Sequence, residues 1–182
     1  MSRSTLLLLL VIYASKTSSF AQKLHPTLGL RTGISFSSKY GSALFHMPQY
    51  SRVGFSPGLF VHLPLSEDAT FVPELSYVKQ GFRVDDVQIY SDCLQLNLLT
   101  NIRLGITHTY VTLGPYVSYL LQKSIHTPQE KNIELGGIVG LGFELGTHLT
   151  LDIRYHSSSQ EWPFDYGLLR NTFVDVSLGY HF

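Results

Sequence analysis

The chain has very little cysteine and little charge. Cys93 is the only cysteine in 182 residues, so no disulfide can form within the chain. Charged residues make up 14% of the sequence, against about 25% in ordinary soluble domains. Basic residues do not exceed acidic ones, with 13 of each, so the composition gives no reason to expect a nucleic-acid partner. A protein with so few charges is expected to expose much of its surface to something other than water.

Long apolar runs are also missing. Leu6 to Tyr13 is apolar throughout but is too short to cross a bilayer as a helix. Arg3 precedes this run and Ser19-Phe20-Ala21 follows it, which is the pattern of a secretory signal peptide cleaved before Gln22. No cysteine stands at the cleavage point, so a lipoprotein anchor is not expected. We predict that residues 1–21 are a signal peptide and that residues 22–182 form one exported domain.

The chain does contain a repeated two-residue alternation of apolar side chains with small or polar ones. It is clearest at the C-terminus, where Val174, Val176, Leu178, Tyr180 and Phe182 alternate with Asp175, Ser177, Gly179 and His181. Such a period predicts a strand with one apolar face. Eight segments follow it, at about 27–36, 53–63, 71–80, 94–101, 110–119, 133–144, 149–156 and 172–182. An even number of such segments is typical of an outer-membrane barrel.

The distribution of glycine decides which face of these strands points inward. Nine glycines lie on the small or polar face, among them Gly29, Gly58, Gly136 and Gly179. Glycine makes a poor solvated strand surface, whereas inside a narrow barrel it makes room for large neighbours. A soluble lipocalin-like barrel, with its apolar face inward, is therefore less favoured. The prediction is an all-β fold, an eight-stranded antiparallel up-and-down transmembrane β-barrel integral to the outer membrane.

Connection lengths and aromatic residues give the orientation. The connections at 37–52, 81–91, 122–131 and 157–171 are long, and those at 64–69 and 146–148 are short. In such barrels the short turns are periplasmic and the long loops are outside. Aromatic residues fall at both ends of the apolar faces, with Phe36, Phe55, Tyr77, Tyr119 and Tyr155 at the loop end and Phe71, Phe143, Tyr180 and Phe182 at the turn end. Outer-membrane lipids are thus expected partners, and Tyr180 and Phe182 form a candidate signal for the barrel assembly machinery.

Four internal segments and the C-terminus carry a resemblance to a known family. They are residues 71–81 (FVPELSYVKQG), 113–121 (LGPYVSYLL), 140–144 (GLGFE), 151–155 (LDIRY) and the terminal GYHF. Together they resemble the PorT-like outer-membrane β-barrel proteins of Bacteroidetes-type bacteria, although Asn97 stands where that family often has proline. The resemblance implies a small outer-membrane barrel, and the named member of the family is associated with a secretion system.

Charged residues on the inward face are the candidate site. By strand phase, Arg31, Glu74, Glu144, Asp152, Arg154 and Asp175 point into the lumen. Carboxylates beside a guanidinium can act in acid/base catalysis, but in a barrel filled by side chains they more often form a stabilising network of ion pairs and hydrogen bonds. We predict that structural role. The histidines lack the spacing of zinc ligands, and neither a metal nor another cofactor is expected.

An enzymatic alternative remains at one motif. His156-Ser157-Ser158 resembles the His-x-Ser of lipid A deacylases, in which a histidine activates a serine for attack on an ester. Those enzymes need an acid about a dozen residues later, and Arg170 occupies that position here. The strand phase also turns His156 and Ser158 into the lumen, away from acyl chains. A narrow transport barrel is the other alternative.

The leading hypothesis is a non-enzymatic structural or interaction protein that acts through its outside loops. Aromatic residues and methionine are enriched at recognition surfaces, and the predicted loops contain several. The candidates for recognition of a protein or small-molecule ligand are Tyr40, Tyr50, Trp162, Phe164 and Tyr166. The same residues could instead pack the loops against one another or against lipid headgroups.

Overall fold

The computed structural model describes residues 25–40, 49–84, 87–105, 108–123, 132–164 and 167–182. The predicted signal peptide, residues 1–21, lies outside these ranges. Within them, no helix has the length and apolar character needed to cross a bilayer. The described part of the chain contains nine strands: β1 Thr27–Tyr40, β2 Gln49–Phe55, β3 Gly58–Pro64, β4 Ala69–Val84, β5 Val87–Arg103, β6 Thr109–Lys123, β7 Ile133–Leu145, β8 Leu149–Phe164 and β9 Gly167–His181.

The strands form one antiparallel sheet that closes on itself. Each strand from β3 to β8 pairs with the next along the chain, and β1 pairs with β9 from Gly29↔His181 to Tyr40↔Arg170. Strands β2 and β3 both pair with β1 and with β4, so they are two halves of one barrel strand. The barrel therefore has eight strand positions, and the predicted fold class is confirmed.

The interruption between β2 and β3 follows from Pro57, which has no backbone N–H to donate to the ladder. The surrounding backbone stays hydrogen-bonded at this point. The Gly33 N–H donates to the Ser56 carbonyl at 3.2 Å, and the Tyr77 N–H donates to the Pro57 carbonyl at 2.9 Å. The break thus leaves the barrel wall closed, as a membrane-spanning sheet requires.

The predicted phase of the strands agrees with the observed burial. Outward residues such as Leu30, Leu141 and Tyr155 are about half exposed, whereas the inward Arg31 and Asp152 are buried. Several apolar side chains also point inward, as the alternation predicts for Phe60 and Tyr116. They form one buried cluster of Phe60, Val72, Leu99, Tyr116 and Ile138.

The two ends of the barrel differ. At the turn end the connections are short, and Gly105 and Gly146 adopt positive φ values of 62° and 82°, which glycine accepts without steric cost. At the other end, the prediction of loops at 81–91 and 157–171 is wrong, because strands occupy most of both segments. Strands β4 and β5 continue to Val84 and Val87, and β8 and β9 continue to Phe164 and Gly167. The apolar alternation stops where the strands leave the membrane, but backbone pairing does not depend on it.

This correction moves most of the recognition candidates from loops into strands. Tyr40 lies in β1, Tyr50 in β2, and Trp162 and Phe164 in β8. Their side chains, and Tyr166 as a whole, lie outside what the structure describes.

Candidate functional site: the charged network of the lumen

Four charged side chains from three strands meet in the lumen. Arg31 of β1 pairs through Nη1 with Glu74 Oε2 at 2.5 Å and through Nη2 with Asp152 Oδ2 at 2.9 Å. Arg154 of β8 pairs through Nη1 with the same Glu74 oxygen at 2.8 Å, and its Nη2 lies 3.5 Å from Asp152 Oδ1. Each arginine thus contacts both carboxylates. We call Arg31, Glu74, Asp152 and Arg154 the lumenal network.

Neutral side chains also donate hydrogen bonds to the two carboxylates. Asn97 Nδ2 donates to Glu74 Oε1 at 3.1 Å, and the Tyr110 hydroxyl donates to Asp152 Oδ1 at 2.9 Å. Both residues are buried. The strand phase predicts an inward position for both residues but does not indicate that they join the network. The strand phase was the sequence evidence for these two residues, but it does not show which inward residues lie at the same height in the barrel.

Two other predicted members lie outside this group of four, Asp175 buried in the lumen and Glu144 at the rim. Asp175 sits opposite Arg154 in the β8–β9 ladder, yet its carboxylate accepts a hydrogen bond from the Ser56 hydroxyl. Glu144 is not part of the lumenal network. It lies near the turn end, where Arg103 Nη2 contacts its Oε1 at 2.9 Å and His108 Nδ1 lies 3.6 Å from its Oε2. Glu144 is near the C-terminal end of β7, so an inward phase brings it to the rim rather than to the centre.

The His156 and Ser158 pair of the enzymatic alternative is enclosed. Both residues are buried on the lumenal side. The His156 ring stacks on Phe173 with 4.0 Å between centroids, and its Nδ1 lies 3.4 Å from Gln95 Nε2. An acyl chain in the membrane cannot reach a serine held inside the wall, so this geometry does not support ester attack at Ser158.

A cavity of about 440 Å³ opens at the turn end of the barrel. We call it the turn-end cavity, and its lining includes His62, Asn101, Tyr110, Thr150 and His181. The rings of His62 and His181 contact each other with 4.3 Å between centroids. Within the described ranges, no group of three or more histidine, cysteine, aspartate or glutamate side chains is arranged to hold a metal ion.

Above this cavity the lumen is filled. Phe60, Tyr116 and Arg154 are at most 2% exposed. The Arg31 Cζ lies over the Phe60 ring, 5.3 Å from the ring centroid. Two arginines and two carboxylates balance in charge, so the ions neutralise one another in place. Such an arrangement is suited to holding the strands together across the lumen rather than to activating a substrate.

Residues 20–158 match the family model described as "Outer membrane protein beta-barrel domain". The chain belongs to this family. Members of the outer membrane protein β-barrel domain family are integral to the outer membrane, and that is the location of this protein.

Solved structures agree with the family at the level of fold. Neisserial surface protein A is 13% identical, with a TM-score of 0.58, 87% of this chain covered and 99% of that one. OprG of Pseudomonas aeruginosa is 11% identical, with a TM-score of 0.51 and coverage of 87% and 97%. The attachment invasion locus protein Ail of Yersinia pestis, solved with the heparin analogue sucrose octasulfate, is 16% identical, with a TM-score of 0.50 and coverage of 87% and 99%. No curated protein sequence matches the chain significantly.

Proposed function

We propose that this protein is a non-enzymatic, non-conducting outer-membrane barrel that acts as a structural or interaction protein through the outside ends of its strands. The observation that carries the proposal is the filled lumen. The lumenal network and the cluster around Phe60 and Tyr116 lie between the two ends of the barrel, and their side chains are almost fully buried. An eight-stranded barrel is just wide enough for side chains to fill it.

The length of the outside hairpins supports an interaction role. Past the aromatic Tyr77, β4 continues to Val84, and past Tyr155, β8 continues to Phe164. At about 3.3 Å per residue, roughly 20 to 30 Å of each strand extends beyond these aromatic positions. Paired strands that project this far offer a partner a more rigid surface than free loops do. The sequence of the β8–β9 hairpin includes Trp162 and Phe164, residue types that are enriched at interfaces.

The finer assignment is to the PorT-like group, with a role linked to a secretion system. Its support is the set of motifs in residues 71–81, 113–121, 140–144 and 151–155 together with the terminal GYHF. The match to the broader family is compatible with this group. Within this proposal, the outside hairpins are the contact sites for other components of the secretion system.

Conductance tests the first half of the proposal. Refolded protein reconstituted in planar bilayers should give no steady large conductance. A variant with a smaller side chain in the filled layer, Phe60→Ala, serves as the comparison, because removing the ring opens space between the turn-end cavity and the lumenal network. A steady conductance in the unmodified protein would favour the narrow transport alternative.

A gene deletion tests the second half. The deletion strain is complemented with the parent gene, with a variant in which Trp162 and Phe164 are replaced by serine, or with a variant changed only at Thr147 in a turn at the opposite end. We expect the Trp162/Phe164 variant to reach the outer membrane at the parent level but to lose secretion of exported proteins, and the Thr147 variant to restore it. Normal secretion in the uncomplemented deletion strain would remove the secretion role.

A further inference from the structure

The turn-end cavity has the form of a pocket rather than a passage. Its volume of about 440 Å³ lies within the range of small-molecule sites. The rings of His62 and His181 line it, and both contact the Phe60 ring deeper in the lumen, with centroid distances of 4.9 and 5.2 Å. Phe60 is 1% exposed. A molecule that enters from the turn end therefore meets a closed floor and leaves by the way it came.

Carboxylates outnumber basic groups among the residues that line this pocket. Glu67, Asp68 and Glu144 are acidic, and Arg103 is the only arginine or lysine among the described lining residues. Arg103 Nη2 contacts Glu144 Oε1 at 2.9 Å, so these two charges neutralise each other. Among the residues that the structure describes, neither Glu67 nor Asp68 has an ion-pair partner. The two acidic residues of the turn between β3 and β4 therefore give the mouth of the pocket a negative charge.

Hydrogen-bond acceptors line the deeper part of the pocket. Thr150 is 3% exposed, and its Oγ1 has no hydrogen-bond partner in the described part of the protein. Gly179 lies opposite Thr150 in the β8–β9 ladder, and a Cβ there would lie 2.5 Å from this oxygen, so the absent side chain leaves the hydroxyl uncovered. His62 and Asn101 add an imidazole and an amide to the lining. An ammonium group donates up to three hydrogen bonds and accepts none, so it is the complement of such a surface.

We propose that the turn-end cavity is a binding site for small molecules that carry primary ammonium groups. The carboxylates at the mouth attract the cation, and the Thr150 hydroxyl accepts a charge-assisted hydrogen bond from it deeper in the pocket. An anionic ligand is excluded because Glu67 and Asp68 repel it. The site lies at the opposite end of the barrel from the outside hairpins, so it does not depend on their role as an interaction surface.

Three probes of equal length test the proposal: cadaverine, pentanediol and glutarate, which share a chain of five carbons and end in ammonium, hydroxyl and carboxylate groups. Each is titrated into isotope-labelled protein refolded in micelles of an uncharged detergent, and the NMR shifts of the Gly146 and Thr150 amides are followed. We expect saturable shifts with cadaverine, weaker binding of pentanediol and none of glutarate. Equal affinity for cadaverine and pentanediol, or no saturable shift with any probe, would overturn the proposal.

A double variant, Glu67→Gln with Asp68→Asn, tests the mouth of the pocket. Both residues are exposed in a turn, so the variant should fold as the parent does, and its affinity for cadaverine should fall roughly fivefold or more. The matched control is Asp85→Asn with Asp86→Asn, the same change of charge between β4 and β5 at the other end of the barrel. The control should bind cadaverine as the parent does. Equal losses in the two variants would show that the amine responds to the net charge of the protein, and the proposal would fail.

The nearly isosteric variant Thr150→Val tests the deeper part of the pocket. It removes one buried acceptor and leaves the carboxylates at the mouth in place. Its affinity for cadaverine should fall about tenfold, because hydrogen bonds to charged groups are among the stronger ones. The shift of the Gly146 amide measures binding in this variant, and denaturant unfolding checks its fold. Parent affinity in a folded Thr150→Val variant would place the amine on the exposed carboxylates alone and would overturn the proposal of a site inside the cavity.

Discussion

The protein contains two arginine–carboxylate groups with similar contact distances and very different surroundings. In the lumenal network, the side chains of Arg31, Glu74, Asp152 and Arg154 are at most 4% exposed. At the turn end, the side chains of Arg103 and Glu144 are 47% and 31% exposed, although their contact distance is 2.9 Å, as between Arg31 and Asp152. Water can replace either partner of the exposed pair but not of the buried network. Burial rather than contact distance therefore decides how much each group matters for stability.

The lumenal network also differs in which parts of the barrel it connects. Glu74 lies on β4, between two arginines that come from β1 and β8. The ion pairs therefore cross the lumen between strands that are not neighbours in the sheet. The Arg103–Glu144 pair joins β5 and β7 at the rim. Loss of the first group would affect the closure of the whole barrel, and loss of the second would affect one edge.

The largest expected effect is that of Arg154→Ala. The substitution leaves Glu74 with only one arginine and opens a space in a filled lumen. Breaking a buried ion pair by removing one partner costs about 3 to 5 kcal/mol, and we expect a loss of that order in the free energy of unfolding. The measurement is denaturant unfolding of the refolded protein in detergent micelles, followed by tryptophan fluorescence.

A double variant separates lost pairing from lost packing. Replacing Glu74 and Arg154 together, as Glu74→Gln with Arg154→Met, removes the carboxylate that Arg154→Ala leaves under-compensated, so it should recover part of the stability. If Arg154→Ala instead unfolds at the same denaturant concentration as the parent, the lumen is more hydrated than the structure indicates. A narrow transport path would then be the better hypothesis.

The sequence predicted the inward phase of the lumenal network because the two-residue period follows directly from strand geometry. This period alone predicts that four side chains point into the lumen, those of Arg31, Glu74, Asp152 and Arg154. Their meeting in one layer could not be predicted, since it depends on the stagger between strands around the barrel. Because this stagger is not known from the sequence, Glu144 was predicted to belong to the network and Tyr110 was not. The outside strand extensions were missed because no apolar face is required there, so the alternation that marks a membrane strand disappears.

An effect of intermediate size is expected where glycine makes room for an inward ring. A Cβ on Gly136 would lie 2.3 Å from the Tyr116 ring, whereas a Cβ on Gly137 would meet nothing within 4 Å. Overpacking a filled core costs about 1 to 3 kcal/mol. Gly136→Ala should therefore destabilise the barrel by about that amount, and the neighbouring Gly137→Ala should not. Equal unfolding midpoints for the two variants would show that Tyr116 moves aside without cost.

A smaller energetic effect, read out through assembly, is expected at the C-terminus. Phe182 is exposed on the outer wall, and its ring contacts Tyr180 edge-on at 5.4 Å, a contact worth about 0.5 to 1.5 kcal/mol. The His181 ring contacts the rings of Phe60 and His62 on the inner side of the barrel. Replacing Phe182 with a charged residue should lower the amount of protein in the outer membrane more than the same change at His181. Equal amounts in membrane fractions would argue against Phe182 as part of the assembly signal.

The smallest effect is expected for Arg103→Ala. Its guanidinium contacts Glu144 at 2.9 Å, but both side chains reach water, and exposed ion pairs contribute at most about 1 kcal/mol. The backbone N–H of Arg103 donates to the Asp68 carbonyl at 2.8 Å, and this bond survives the substitution. We expect an unfolding midpoint close to that of the parent, with any small difference shrinking as salt is raised, because salt screens exposed charges. Unfolding at low and high salt, beside Arg154→Ala, checks this. A loss as large as that of Arg154→Ala would mean that the rim is as tightly enclosed as the lumen, and that contact geometry rather than burial sets the strength of these pairs.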